Sequence, residues 1–169
     1  MANTMNIDSI LREFNGNEVA YILIGGMNFL LRHAPILTFD VDIWIEDSAA
    51  NRDQCEKALG LLGAEWGATD DDWGPVTAKQ PGWLLRQMLF CLTSPSGSID
   101  VFRAVKGLES WVVCRERAYH GETAKGVPYW GLSDEDMLRS QTALDQNEQK
   151  QQRIQTLQEK LNHERLDRE

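Results

Sequence analysis

The chain has little of what staples a fold, spans a bilayer or coats a nucleic acid. Its three cysteines, Cys55, Cys91 and Cys114, are odd in number, widely spaced and include no CxxC pair. That argues against a disulfide framework or a zinc site and points to a reducing, cytoplasmic setting. No apolar run approaches the roughly eighteen residues of a membrane span, so no membrane association is expected. Lys and Arg number 17 against 26 Asp and Glu, a formal net charge of −9. Such a surface cannot coat nucleic acid through a broad basic stripe, although a small basic cleft stays open. His33, His120 and His163 are scattered without partnered spacing and read as structural or surface residues. The opening stretch MANTMNIDSI has no basic segment followed by a long apolar core, so no secretory leader is expected. No internal repeat is visible.

What remains is an ordinary globular composition. The hydrophobic fraction of 42% and six Trp in 169 residues argue for a folded domain with a real core. Helix and strand signals alternate along it. Ile7, Ile10, Leu11 and Phe14 recur at helical spacing and Asn15-Gly16-Asn17 ends that helix. Tyr21–Ile24 reads as a short buried strand, Gly25-Gly26 opens a helix to about His33, and Pro35 stops it. A strand is predicted from about Thr38 to Ile45, then a helix capped by Asp47-Ser48 and closed at Gly63. Residues 64–82 read as a long loop in which Asp70-Asp71-Asp72 is a solvated run; packing of the loop is the favoured role of Trp66, Trp73 and Trp83, with a base-stacking lip as the alternative. Gln87–Thr93 and Ser98–Val105 form two strands around the turn sequence Ser94-Pro95-Ser96-Gly97. A helix near Leu108–Arg117, an extended segment at Val127–Trp130 and a helix capped by Ser133 follow.

From Gln141 onward the composition turns to Gln, Glu, Lys and Arg. The organisation expected is therefore a domain over 1–144 and a polar helical extension over 145–169, whose sparse seam is Ile154, Leu157 and Leu161. That seam is too short for a coiled coil and could pack one helix edge or meet a protein partner or a second copy.

The stretch from Tyr21 to Glu46, YILIGGMNFLLRHAPILTFDVDIWIE, carries the chemistry. Side chains two apart on a strand share a face, so Asp40 and Asp42 stand together while Phe39, Val41, Ile43 and Ile45 pack the other side. Adjacent carboxylates on an apolar strand are costly unless a cation or a proton separates them. Oxygen-only ligands favour hard Mg²⁺, which binds one or two carboxylates and completes its shell with water and phosphate oxygens. Asp100, between Ile99 and Val101, offers a third acid on a later strand. The pattern points to phosphoryl-transfer chemistry.

Gly25-Gly26, a helix, Thr38-Phe39-Asp40-Val41-Asp42-Ile43 and a later Ile99-Asp100-Val101-Phe102 resemble the nucleotidyltransferase superfamily, with its polymerase-β-like fold. More narrowly, the chain is similar to small bacterial proteins of the abortive-infection toxin type, related to toxin–antitoxin systems. Leu132-Ser133-Asp134-Glu135-Asp136-Met137 approximates their LSxEDL helix start, and the likeness spans roughly residues 18–145. The resemblance implies an α+β fold: a nucleotidyltransferase-like mixed β-sheet with helices packed on one face, plus the polar C-terminal helix. It implies that Asp40, Asp42 and Asp100 are the catalytic and metal-holding residues, with Mg²⁺ or Mn²⁺ as cofactor and an NTP as substrate. Gly25 and Gly26 would admit the triphosphate to the backbone at a helix N-terminus. The reaction implied passes a nucleoside monophosphate from the NTP to an acceptor (a small molecule, a protein side chain or an RNA end) and releases pyrophosphate.

The basic half of the pattern departs from the family. Gln141 stands where a Lys is usual, Gln151 follows Lys150 where an acid is usual, Leu37 replaces an Arg and Asn28 a small residue. Arg32 and Arg103, with Lys106 and Arg139 behind them, are the candidates to take over phosphate binding. The alternative is a catalytically degenerate member that binds nucleotide or a partner protein without chemistry.

Overall fold

A computed structural model describes residues 5–33, 40–108, 110–144 and 149–168. The predicted helix stop at Pro35, the strand start at Thr38 and Phe39, the departure at Leu37 and the start of the extension at Asp145 lie outside these residues.

Helix α1 (Ile7–Gly16) starts at Asn6, whose side chain accepts from the Ser9 N–H, and buries Ile10, Leu11 and Phe14 on one stripe. Strand β1 (Tyr21–Ile24) follows and leads directly into helix α2 (Gly25–Arg32). Strand β2 (Asp40–Ile45) precedes helix α3 (Ala49–Leu61), where the Ser48 side chain accepts from the Asn51 N–H as predicted. Asn51, itself buried, accepts from the Ala20 N–H and donates to the carbonyls of Ala20 and Glu46, fastening α3 to the ends of β1 and β2.

The segment read as a loop has more order than its composition announced. Strands β3 (Glu65–Trp66) and β4 (Gly74–Pro75) form a small antiparallel pair, with 3₁₀ turns at Asp70–Asp72, Val76–Ala78 and Trp83–Leu85. Trp66 and Trp83 stack with centroids 5.7 Å apart and bury themselves against Phe90, whereas Trp73 stays exposed. Strands β5 (Leu89–Leu92) and β6 (Ser98–Phe102) flank the anticipated turn. Helix α4 (Trp111–Glu116) then leads to strand β7 (Tyr119–Glu122), which its sequence, YHGE, hid. Strand β8 (Pro128–Gly131), helix α5 (Asp134–Thr142) with Ser133 accepting from the Asp136 N–H, and helix α6 (Gln151–Arg168) follow.

The main sheet is mixed, in the order β5-β6-β2-β1-β8-β7. The pairs β2–β6 and β1–β8 are parallel and the rest antiparallel. One face carries Tyr21, Leu23, Val41, Ile43, Ile99 and Val101 against α1 and α3, the larger of two apolar clusters. The opposite face carries Ile22, Ile24 and Trp44, which pack with Leu108, Cys114, Met137 and Leu157. Helices therefore cover both sides: α1 and α3 lie on the larger cluster, and residues of α4, α5 and α6 cover part of the other. Met27 of α2 enters the first cluster and Phe29 the second, so α2 straddles the two.

Helix α6 packs on α5, with Leu157 fully buried, Ile154 nearly so and Leu161 half-buried. Midway along it the Lys160 ammonium lies 3.8 Å from the buried Asp134 carboxylate. No helix among the described residues is long and apolar enough to cross a membrane.

Candidate active site

Two parallel strands in register build the acidic centre. Asp42 of β2 lies opposite Asp100 of β6, with Val41 opposite Ile99 and Ile43 opposite Val101. Adjacent strands run about 5 Å apart, so the two aspartates are immediate neighbours on one face. Asp40 stands two residues earlier on that face, exposed at the mouth of the site. The intervening apolar side chains are fully buried in the larger core, which pins the register: a one-residue slip would turn the aspartates into it.

Strand β1 brings the glycines. Ile24 is paired with Asp42, so Gly25, the next residue, turns away from the sheet beside that carboxylate. Gly25 has φ +70, and a Cβ there would run into Oδ2 of Asp42. Both the left-handed backbone and the contact exclude a side chain. Gly26 is buried in the first turn of α2, which has no side-chain cap at Ile24.

The centre is electrostatically loaded. Burial, then the charges of Asp100 and Asp40, push the Asp42 carboxyl up to about 7, while Arg153 pulls the other way. Burial and Asp40 also raise Asp100, and hydrogen bonds from Asp42 and from the Cys91 thiol partly offset that rise. Like charges this close cannot both ionise cheaply, which makes Asp42 the carboxyl of the group that is easiest to protonate. The other Asp42 oxygen, Oδ1, is buried with no hydrogen-bond partner.

These features fit a hard divalent cation. The donors are carboxylates, two of them paired across adjacent strands, and one buried oxygen is unsatisfied. As they stand, no three His, Cys, Asp or Glu side chains among the described residues are arranged to hold a metal ion.

The basic candidates are engaged with other carboxylates and carbonyls. Arg32 donates to the Leu132 carbonyl at 2.9 Å and pairs with Asp134 at 3.2 Å, its guanidinium over the Tyr119 ring. Arg103 follows β6 at the end away from Asp100 and is held by Asp47 and the Gln87 carbonyl. Arg139 shares the fully buried Asp136 with Arg117, and Lys106 is exposed. Gln141 accepts from the Lys150 backbone N–H, and the Lys150 side chain is exposed. His33 is a structural residue, 2.6 Å from Asp134 and 3.5 Å from Lys160.

Two residues at the site escaped the sequence reading. Cys91 of β5 is exposed and directly paired with Asp100, so its thiol shares that carboxylate's side of the sheet. The antiparallel β5–β6 register puts it there, and its even offset from the turn was the available clue. Arg153 of α6 is the cation whose charge acts on Asp42.

No protein-family model matches the chain, and no curated protein sequence matches it either. Its fold is similar to the crystal structure of a "putative nucleotidyltransferase" from Thermotoga maritima, with a TM-score of 0.51 and 15% sequence identity. That likeness covers 96% of this chain and 98% of the other, and it is a likeness of fold.

Proposed function

We propose that the chain is a metal-dependent nucleotidyltransferase that moves a nucleoside monophosphate from an NTP to an acceptor hydroxyl and releases pyrophosphate. The observation that carries this reading is the pairing of Asp42 with Asp100 on two parallel strands, set against the bare backbone of Gly25. Asp40 and Asp42 would hold Mg²⁺ or Mn²⁺, which would neutralise charge on the phosphates and align them for in-line displacement. Gly25 and Gly26, opening α2 without a side-chain cap, would let phosphate oxygens approach backbone N–H groups. Asp100, paired with Asp42 on the neighbouring strand, would take the proton of the attacking hydroxyl.

The second reading, a nucleotide-binding protein without chemistry, draws on one observation: Arg32 and Arg103 are paired with Asp134 and Asp47. An active site has no need of three neighbouring acids unless they handle a cation and a proton, which favours the enzyme.

The test is incubation with each labelled NTP, Mg²⁺ or Mn²⁺ and a cell extract. Transfer of label by the natural chain and its loss in Asp100→Asn would support the enzyme. Tight NTP binding with no transfer under any of these conditions would favour the binding protein.

A further inference from the structure

An arginine on the buried stripe of an otherwise polar helix needs a reason. Arg153 lies one turn before Leu157, the fully buried residue of α6, and directly before Ile154, which is also buried. Residues four apart on a helix share a face, so Arg153 points where Leu157 points, into the molecule. It is half-buried, and its guanidinium sits 6.0 Å from the ring centroid of Phe29. Phe29 belongs to α2, the helix that begins at Gly25 beside Asp42.

Arg153 has no hydrogen bond or ion pair with another described residue; its contacts are the Phe29 ring and the longer-range charge of Asp42. Arg115 is held in the same way, over the Trp130 ring, but its charge acts on Tyr21 and not on an aspartate of the site. Arg32 is satisfied by Asp134, and Arg117 and Arg139 share Asp136. A guanidinium carries five donors, and holding them part-buried without acceptors is costly. A triphosphate arriving beside three carboxylates brings further negative charge, which the metal offsets only in part.

We propose that Arg153 is the phosphate-binding cation of this site, so that α6 supplies the basic half that the sequence motifs lack. The inference rests on the nucleotidyltransferase reading and assigns the ligand of that one side chain: the β- and γ-phosphate oxygens of the NTP. The planar fork suits two phosphate oxygens at once. The Lys160–Asp134 contact and the burial of Leu157 fix the helix, so the guanidinium is positioned before substrate arrives. Lys150, three residues earlier, is exposed, and its backbone N–H donates to Gln141.

Titration calorimetry of the full chain with Mn²⁺ and each ribonucleoside triphosphate, against the matching monophosphates, tests this. Arg153→Gln should weaken triphosphate binding roughly ten- to a hundredfold and monophosphate binding far less, with Mn²⁺ affinity nearly unchanged. Arg153→Lys should recover part of the loss. Should the Gln variant fail to fold, Arg153→Met, which keeps an apolar stem on Phe29, makes the same comparison. Unchanged triphosphate affinity in a folded Gln or Met variant would overturn the assignment while leaving the nucleotidyltransferase reading intact. A natural chain that binds no triphosphate at all would overturn both.

Discussion

Gly25 and Asp42 are in such close contact that a methyl group on the first would occupy the place of the second's Oδ2. This contact couples the entry of α2 to the aspartate strand and makes the glycine part of the site. Gly25→Ala meets two penalties, a left-handed φ of +70 and displacement of the carboxylate. A non-glycine residue in that region costs about 1–2 kcal/mol before any clash. The variant should melt several degrees lower and lose most of its metal binding, checked by calorimetric melting and Mn²⁺ titration. A variant as stable as the natural chain, with normal Mn²⁺ affinity, would show that the contact does not matter.

Stability without metal should depend on pH in a direction that Asp42 sets. Its carboxyl is raised from the ordinary value of 3.8 to about 7, so the folded chain binds the proton more tightly than the unfolded chain. The stabilisation from that proton is fully present below about pH 4 and is lost as pH rises through about 7. Denaturant melts in EDTA should therefore show a contribution that falls between those limits in the natural chain. The fall should be absent from Asp42→Asn, and the difference between the two curves is the measurement. Identical pH profiles would contradict the raised carboxyl of Asp42.

Removal of Asp42 should separate metal binding from folding. Asp42→Ala takes away one of three crowded acids and a buried oxygen without a partner, so the metal-free fold should survive or gain slightly. Mg²⁺ and Mn²⁺ binding should vanish in calorimetric titration. Retention of natural metal affinity would mean that the cation sits elsewhere.

Cys91 reports on occupancy of the same face. It is the exposed cysteine of the three, with Cys55 and Cys114 buried, and its thiol is raised by burial and by Asp100. Maleimide should modify Cys91 first, and slowly for an exposed thiol, because the thiolate is the reactive form. Mn²⁺ with an NTP should slow that modification several-fold, as followed by intact mass. Equal rates with and without them would place the ligand away from Asp100.

Truncation after Leu144 examines whether residues 145–169 are an extension of an independent domain. The cut removes the fully buried Leu157 and the nearly buried Ile154, worth about 1.5–3 kcal/mol each. The larger cluster between the sheet, α1 and α3 is untouched. The shortened chain should fold with a lower melting temperature and lose its affinity for triphosphates. Circular dichroism showing no cooperative transition would make α6 part of the minimal folding unit.

Much of this architecture was legible because the apolar pattern and the turn residues agreed with the final packing. Tyr21–Ile24 is a strand whose every residue is buried, and Ser48 and Ser133 cap the helices their positions announced. The pairing of Asp42 with Asp100 follows from parity once the strands are placed, since Val41, Ile43, Ile99 and Val101 all need the core. Strand β7 was hidden because an edge strand with exposed residues needs no apolar alternation, and YHGE has none. The β3–β4 pair was hidden because two-residue strands carry no period. Arg32 and Arg103 were named as basic residues able to replace the missing ones, and Asp134 and Asp47, remote in sequence, pair with them. Arg153 was invisible because nothing in a polar helix says which turn will face a carboxylate more than a hundred residues away.

The most direct measurement of the central claim follows the two ends of the triphosphate separately. The natural chain, with Mn²⁺ or Mg²⁺ and an extract supplying acceptors, is given one NTP labelled at the α-phosphate and, in parallel, the same NTP labelled at the γ-phosphate. The account predicts that α-label becomes attached to an acceptor while γ-label leaves as pyrophosphate, and that Asp100→Asn abolishes both. Attachment of the γ-label instead, or undiminished transfer by Asp100→Asn, would contradict it.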